Sequence, residues 1–278
     1  MELSILGSGL MGKDIAIFLS QSEQIKKINL HVIGSDFNKK KKEFSAFKDS
    51  QSTKLKSKHN TGNYKKISLT KNIAAVSKSD FIIEAATEDF LKKATLIESI
   101  NSLIDPSCIF FSNTSSLSIE KLSKYYLKEN NFFGMHFFNP VNNTRLVELI
   151  YLKKSQKKIL KPFKDLLEEL NKKVIMLTDH PGFIVNRLLL VQIIEACEIY
   201  SEGIASFESI DNAFKLATNS FKGPFEISDL IGNDIVLQML KNIYQDTNAL
   251  KYKPHSVLEL MVKKNFLGKK TNKGFYKY

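Results

Sequence analysis

Short apolar runs alternate with amphipathic segments over residues 1–179. In LSILGSGLMGKDIAIFLSQ at 3–21, an apolar run leads into glycines and then into helical spacing. The run DFIIEAAT at 80–87 is apolar on both faces, which is typical of a strand buried in a parallel sheet. This alternation predicts a doubly wound, Rossmann-like α/β domain over 1–179.

The same pattern places the individual elements of this domain. Strands are expected within 3–21, 27–36, 59–70, 80–87, 107–117, 131–138, 144–150 and 172–179. Helices are expected within 3–21, 37–58, 89–104, 118–126 and 155–171.

The pattern changes after the tetrapeptide DHPG at 179–182. Nearly all of 183–278 has a helical period, which predicts an all-helical C-terminal domain over 180–278. The strongest segments lie at 186–203, 206–218, 226–246 and 256–265.

Composition is that of a soluble globular protein, with 43% hydrophobic and 25% charged residues among 278. No apolar run reaches the length of a membrane-spanning helix, and the first residues run directly into a strand, so a cytoplasmic protein without membrane association is expected. Cys108 and Cys197 lie in apolar contexts without metal-ligand spacing, so both are expected to be reduced packing residues and no metal site is predicted.

The net charge of +12 raises the possibility of a nucleic-acid partner. Almost all of the basic residues are lysines, with arginine only at Arg145 and Arg187, whereas proteins that bind nucleic acids favour arginine. No recognition helix or zinc pattern is present, so we expect no nucleic-acid partner. The densest basic stretch is Lys39–Lys42, with further lysines as far as Lys66.

The glycines of GSGLMG lie between the first strand and its helix. Gly7 allows the tight turn, Gly9 lets a pyrophosphate approach the backbone, and Gly12 lets helix and strand pack closely. The N-terminus of the following helix then offers N–H groups to the phosphates. In the first strand–turn–helix of an α/β domain, this pattern predicts a dinucleotide site.

The residue that would bind the adenosine ribose is less clear. Gly34 occupies the position at the end of the second strand where an acid is expected, and Asp36 follows two residues later. Asp36 favours NAD, but Ser35 and Lys39 could instead bind the 2′-phosphate of NADP. NAD is the expected cofactor, and NADP stays open.

A histidine among apolar residues is most often a core residue, but His136 in FGMHFFNPVNN has suitable partners for catalysis. Glu148 follows 12 residues later among apolar neighbours and could hold one imidazole nitrogen, which makes the other a better proton acceptor. Ser115 lies on the turn after a strand, and Asn186 begins the first long C-terminal helix. The neighbours Met135, Phe137 and Phe138 are expected to surround His136 and exclude water.

Several motifs occur together in one order: GSGLMG, SNTSSLSI, GMHFFNPV, LVELI, PGFIVNRLL, GIASFESIDNAFK, GPFEISDLIG and LGKKTNKGFYKY. Their order and spacing closely resemble the L-3-hydroxyacyl-CoA dehydrogenase family, especially the short-chain 3-hydroxybutyryl-CoA dehydrogenases, over nearly the whole chain. The resemblance implies an NAD-binding domain, a helical domain that forms a homodimer, and an active site between the domains.

The resemblance also implies roles for individual residues. His136 is the implied general acid/base with Glu148 as its partner, and Ser115 and Asn186 match positions that hydrogen-bond substrate and catalytic water. The implied cofactor contacts are Glu88, Lys93, Asn139 and Lys270.

Two departures from the family leave alternatives open. Gly34 stands where an acid is expected, and the lysine-rich arm at 37–66, between the second strand and TKNIAAVSKSDFIIEA, is shorter than the family arm that helps to clasp CoA. The acyl group could therefore be carried by CoA or by an acidic acyl carrier protein. A non-catalytic dinucleotide-binding sensor is a further alternative, but a sensor would need none of the residues Ser115, His136, Glu148 and Asn186.

Overall fold

The computed structural model describes residues 1–34, 36–55 and 63–278, with the backbone alone over 48–55. Ser35 and residues 56–62 lie outside the described residues. The possible role of Ser35 at a 2′-phosphate and the central part of the lysine-rich segment 39–66 therefore stay predictions.

The N-terminal part is built on one sheet, which has eight strands in the described residues. The strand order is β3-β2-β1-β4-β5-β6-β7-β8. The bounds are β1 Glu2–Leu6, β2 Lys27–His31, β3 Ile67–Thr70, β4 Phe81–Glu84, β5 Ile109–Ser112, β6 Phe132–Phe137, β7 Leu146–Tyr151 and β8 Lys173–Thr178.

The strands from β3 to β6 are all parallel, with β1 and β4 side by side at the centre. The direction of the chain changes at β7, which pairs antiparallel with β6 and parallel with β8. A ligand site is expected beyond the carboxyl ends of β1 and β4, because the strand order reverses there.

Helices accompany these strands, and the helices that begin at Leu10, Phe37 and Lys161 contribute apolar residues to one core with the sheet. The helices are α1 Leu10–Leu19, α2 Phe37–Leu55, α3 Phe90–Ile100, α4 Ile119–Ser123 and α5 Lys161–Glu169. Ser118 caps α4, because its side chain accepts a hydrogen bond from the Lys121 backbone N–H. Cys108 is a buried thiol, and burial raises its pKa to about 11, so it is not an anionic nucleophile near neutral pH.

The C-terminal part is helical. Its helices are α6 Val185–Ser201, α7 Phe207–Thr218, α8 Pro224–Ile231, α9 Asn233–Thr247 and α10 Ser256–Lys263. The apolar pattern at 226–246 gives no sign of a break, but Gly232 has a φ of +107° and ends α8 just before α9 begins.

Cys197 lies in the core of this part, where burial raises its pKa to about 12. Among the described residues, no helix is both long and apolar enough to cross a membrane.

The predicted fold class, a doubly wound α/β part followed by an all-helical part, is confirmed. The described chain packs as two compact units. Unit 1 holds Met1–Thr114 and Ser118–His180, and unit 2 holds Ser115–Leu117 and Pro181–Tyr278. The domain limits 1–179 and 180–278 stay a prediction, because compact packing does not show that either part folds alone.

Candidate active site

The turn between β1 and α1 is tightly packed at two glycines. Gly7 has a φ of +119°, and a Cβ there would lie 2.5 Å from the Ala85 carbonyl oxygen. A Cβ on Gly12 would overlap the Gly7 carbonyl oxygen. Side chains are therefore excluded where the turn meets the end of β4 and where α1 begins.

Gly9 differs from these two glycines. It is exposed, its φ of −69° suits any residue, and a Cβ would meet nothing within 4 Å. It precedes the first turn of α1, and that turn holds no acidic residue. Packing within the protein gives no reason for glycine at this position, whereas a phosphate lying against the backbone N–H groups would.

Gly9→Ala is therefore expected to leave the melting temperature unchanged and to weaken NADH binding about tenfold, because the added methyl group would hold the pyrophosphate away from the backbone N–H groups that bind it. Fluorescence titration with NADH and thermal unfolding would measure the two effects. A variant that binds NADH as tightly as the wild type would show that this turn is a packing motif without a phosphate.

Asp36 has a local structural role. Its Oδ1 accepts hydrogen bonds from the backbone N–H groups of Asn38 at 2.8 Å and Lys39 at 3.2 Å. This is the N-cap arrangement, in which a side chain satisfies N–H groups in the first turn of a helix. The side chain is exposed, so its predicted contact with the cofactor ribose stays a prediction.

Gly34 offers a separate test of cofactor choice. It is exposed, a Cβ there would meet nothing within 4 Å, and its φ of +61° is one that Asp and Asn tolerate better than most residues. Gly34→Asp is expected to raise the NAD preference, because a carboxylate there would bind the ribose and repel a 2′-phosphate. The ratio of kcat/KM for NADH and NADPH would measure this, with Gly34→Asn as the uncharged control. Equal ratios in both variants and the wild type would mean that Asp36 or another residue already selects the cofactor.

Glu88 and Lys93 lie in one cluster after β4. Lys93 is almost fully buried, and its Nζ lies 2.7 and 2.8 Å from the two carboxylate oxygens of Glu84 and 3.6 Å from Glu88 Oε2. Thr114 Oγ1 donates a 2.6 Å hydrogen bond to Glu88 Oε1. The cluster thus brings together Glu88 and Lys93, two of the predicted cofactor residues. It also contains a buried acid that the apolar run of β4 does not predict. Glu84 is that acid, and it is fully buried.

The two other predicted cofactor residues lie elsewhere. Asn139 is exposed in the loop after β6, where it precedes Pro140 through a cis peptide bond. Lys270 lies in unit 2, and its Nζ is 2.7 Å from Asp234 Oδ2. Cofactor contacts for Asn139 and Lys270 stay predictions.

His136 and Glu148 are opposite each other in the antiparallel pair of β6 and β7. His136 Nδ1 lies 2.8 Å from Glu148 Oε2, and the two side chains are only 6% and 1% exposed. The short connection between the strands converts their spacing of 12 residues into direct contact. A carboxylate on Nδ1 fixes the orientation and tautomer of the ring, which makes Nε2 the proton-exchanging nitrogen.

The apolar neighbours of His136 do not all surround it. Successive residues in a strand point to opposite faces, so Met135 and Phe137 point away from the His136 face and pack into the core of unit 1. Phe138 is different, since its ring centroid lies 4.4 Å from that of His136. The predicted shell of three apolar residues was therefore wrong for Met135 and Phe137, and it holds for Phe138.

Other histidines have local roles. His31 is buried at the end of β2, 3.0 Å from Ser4 Oγ, and burial lowers its pKa to about 4, so it is neutral near pH 7. His255 Nε2 contacts Glu198 Oε2 at 2.8 Å, but its Nδ1 accepts a hydrogen bond from the Val257 N–H and caps α10. A carboxylate partner alone therefore does not indicate catalysis. His136 differs from His255 in its burial within a strand of the sheet.

Ser115 and Asn186 are in contact within unit 2. The Nδ2 group of Asn186 donates a 2.8 Å hydrogen bond to the Ser115 backbone carbonyl oxygen. Asn186 lies in the first turn of α6 and is 7% exposed. The structure thus joins these two predicted substrate-contacting residues directly.

Comparison with known proteins decides the family. A family model described as 3-hydroxyacyl-CoA dehydrogenase, NAD binding domain, matches residues 2–180, and one described as 3-hydroxyacyl-CoA dehydrogenase, C-terminal domain, matches residues 182–278. The chain belongs to the 3-hydroxyacyl-CoA dehydrogenase family. The resemblance predicted from the sequence motifs is confirmed, and so are the oxidoreductase class and NAD as the cofactor.

Relatives of this dehydrogenase match along its whole length. The chain is 35% identical over 287 residues to a 3-hydroxybutyryl-CoA dehydrogenase from Clostridioides difficile, covering 100% of this chain and 99% of the relative. It is 33% identical over 290 residues to the mitochondrial hydroxyacyl-coenzyme A dehydrogenase of Sus scrofa, with 100% and 91% coverage. The crystal structure of (S)-3-hydroxybutyryl-CoA dehydrogenase PaaH1 from Ralstonia eutropha superposes with a TM-score of 0.88 at 32% identity, covering 100% of this chain and 98% of that one.

Two residues of this dehydrogenase escape the sequence reasoning. Glu84 is the buried carboxylate that holds Lys93, and Asn113 Oδ1 accepts a 2.9 Å hydrogen bond from the Phe137 N–H beside His136. Glu84 could have been recognised as the acid that ends an otherwise apolar central strand. Asn113 has no comparable signal, since a polar residue after a strand is ordinary turn composition.

Proposed function

We propose that this protein is an NAD-dependent L-3-hydroxyacyl-CoA dehydrogenase that acts on short acyl thioesters of the 3-hydroxybutyryl type. The observation that carries the proposal is the buried His136–Glu148 pair on adjacent strands, in a chain whose family and NAD-binding domain are established. The relatives named 3-hydroxybutyryl-CoA dehydrogenase support the short acyl chain.

The cofactor-binding part of the proposal rests on the turn after β1. Close contacts at Gly7 and Gly12 keep that turn compact. At Gly9, no atom lies within 4 Å of the position that a Cβ would take, so a ligand has room there. These features fit a dinucleotide with its pyrophosphate at the start of α1. When bound, NAD supplies the acceptor for the hydride that leaves the hydroxyl-bearing carbon.

The catalytic part rests on His136. In the oxidative direction, we propose that Nε2 takes the proton of the 3-hydroxyl group, and in the reductive direction it returns that proton to the carbonyl oxygen. Glu148 accepts the Nδ1–H hydrogen bond and stabilises the imidazolium. Ser115 and Asn186 are proposed as hydrogen-bonding partners of the substrate and of a catalytic water.

A steady-state assay with acetoacetyl-CoA and NADH tests this function directly. The expected result is NADH oxidation with formation of the L-3-hydroxy thioester, and little activity with 3-oxo acids that lack the thioester. Tight NADH binding without turnover of any 3-oxoacyl thioester, on CoA or on a carrier protein, would instead support the non-catalytic sensor.

The lysine-rich start of α2 supports an acyl carrier protein as an alternative to CoA. Lys39, Lys41 and Lys42 are exposed, whereas Lys40 pairs with Glu43 at 2.7 Å. The first turn of α2 holds no acidic residue. Such a basic surface suits a polyanion attached to the acyl group, either the 3′-phosphoadenosine of CoA or the acidic face of an acyl carrier protein.

The double variant Lys41→Ser, Lys42→Ser distinguishes the carriers. For a carrier protein, kcat/KM is expected to fall about tenfold at low salt and to converge with the wild type at high salt, because spread charges mainly steer association. For acetoacetyl-CoA the loss should be smaller. The control is Lys263→Ser, Lys264→Ser, which removes the same charge from exposed positions at the end of α10. If both variants have the same kcat/KM as the wild type for each of the two substrates, the lysines are only a solvated surface.

The proposal includes a cytoplasmic homodimer formed through the C-terminal part. Large apolar side chains are exposed on unit 2, among them Ile204, Leu216 and the fully exposed Phe221. Apolar side chains as fully exposed as Phe221 are candidates for an association site. Phe221→Ser should shift the molecular mass measured by light scattering towards the monomer if this surface pairs two copies.

A further inference from the structure

Glu84 is a fully buried carboxylate at the last position of β4. Its oxygens accept hydrogen bonds from Lys93 Nζ at 2.7 and 2.8 Å, from the Ala86 N–H at 2.6 Å and from Ser112 Oγ at 2.7 Å. Burying a charge is costly unless it is paired and hydrogen-bonded, and Glu84 meets both conditions.

The position of Glu84 relates it to the dinucleotide turn. In the sheet register it is opposite Leu6, the last residue of β1, and Ser112, the last residue of β5. Gly7 follows Leu6, and the space beside Gly7 is filled by the Ala85 carbonyl group. The carboxylate therefore lies at the point of the sheet where ligands of this fold bind.

Lys93 connects this buried acid to the surface. Its side chain is 1% exposed, whereas that of Glu88, 3.6 Å from the same Nζ, is 31% exposed. The series from Glu84 through Lys93 to Glu88 thus runs from the interior to solvent. Glu84 does not reach solvent, so it can affect a ligand only through the groups that it holds.

We propose that Glu84 is a positioning residue of the dinucleotide site, which fixes Lys93 and through it Glu88 in the arrangement that binds the cofactor. The proposal rests on the proposed function, since it requires Lys93 and Glu88 to serve that site. It assigns to a buried side chain a role in NADH affinity rather than in stability alone.

The variant Glu84→Gln keeps the size of the side chain and an oxygen for the Ala86 N–H, but removes the charge that holds Lys93. We expect the dissociation constant for NADH, measured by fluorescence titration, to rise about tenfold, in the range seen when a residue in a charged network is removed. At saturating NADH, kcat should change less than about threefold, because His136 and Glu148 are unaffected.

A double-mutant cycle separates positioning from general loosening. In a Lys93→Met background, Glu84→Gln is expected to change the NADH dissociation constant less than about twofold, because the group through which it acts is gone. A tenfold effect that persists in this background would overturn the proposal. So would a Glu84→Gln protein that melts at lower temperature but binds NADH like the wild type.

Asp211→Asn is the matched control for loss of a buried carboxylate. Asp211 is fully buried in unit 2 and accepts hydrogen bonds from the Phe225 and Glu226 N–H groups, both at 2.9 Å, and from the Tyr276 hydroxyl at 2.8 Å. This variant should melt at lower temperature with unchanged NADH affinity.

If Glu84→Gln does not fold, Ser112→Ala replaces it, because this variant removes one hydrogen bond to Glu84 and no charge. It should weaken NADH binding about threefold, and unchanged binding would overturn the proposal. A wild-type protein that fails to bind NADH would contradict the proposed function instead.

Discussion

His136→Ala is expected to lower kcat by about 10²–10⁴-fold, which is the contribution of a positioned general acid–base group. NADH affinity should stay within about twofold of the wild type, because the proposed cofactor contacts are made by other residues. Stopped-flow measurement of NADH oxidation at saturating acetoacetyl-CoA would give the rate of the chemical step. The side chain is buried and paired with Glu148, so the melting temperature should be recorded to confirm that the variant is folded.

His255→Ala is the control for this experiment. His255 also contacts a carboxylate, that of Glu198, but its other nitrogen caps α10. Its removal should cost some stability and leave kcat unchanged. A His136→Ala enzyme that keeps more than about a tenth of the wild-type rate, with chemistry shown to be rate-limiting, would contradict the proposed role.

The fold could be predicted from the sequence because its signals are local. Apolar runs such as 80–87 are long enough to mark buried strands, and the glycines after β1 identify the dinucleotide turn. The residues of β7 themselves do not show its reversed direction, because a strand in either direction has the same side-chain alternation. Its direction follows from the short connection between Phe137 and Leu146, which allows an antiparallel neighbour and excludes a parallel crossover.

Some residues of the candidate site could be predicted from the sequence, and others could not. His136 and Glu148 are identified by residue type, and the antiparallel register explains why they touch. Glu84 is visible in the sequence as the single acid that ends an apolar strand, but the pattern does not show that this acid is buried and holds Lys93. Asp36 is predicted only as a ribose ligand, yet it precedes α2 and satisfies the rule for an N-cap equally well. Sequence spacing fixes which residues are near one another in the chain, whereas these roles depend on contacts in the fold.

Glu148→Gln is expected to lower kcat about 10²-fold, at the lower end of the range for general acid–base catalysis, with little change in NADH affinity. The amide has the same size and can still accept the Nδ1–H hydrogen bond of His136, so the tautomer can be retained. The lost charge no longer stabilises the imidazolium that forms when His136 takes a proton. His136 is then a weaker base for the proton of the 3-hydroxyl group, and the chemical step is slower.

The pH dependence of Glu148→Gln separates this electrostatic role from a packing role. A negative charge beside an imidazole favours its protonated form, so removal of that charge should move the acidic limb of the kcat/KM profile for oxidation of the 3-hydroxy thioester, in which His136 is the base, to lower pH. Glu148→Asp keeps the charge on a shorter side chain. Its kcat should fall, but the acidic limb should not move as it does in Glu148→Gln. Deuterium on the hydroxyl-bearing carbon of the 3-hydroxyacyl substrate would show whether hydride transfer limits the rate of oxidation in each variant. If it does, and the Glu148→Gln profile still coincides with that of the wild type, Glu148 only supports the strand pair, and the basicity of His136 must come from elsewhere in its surroundings.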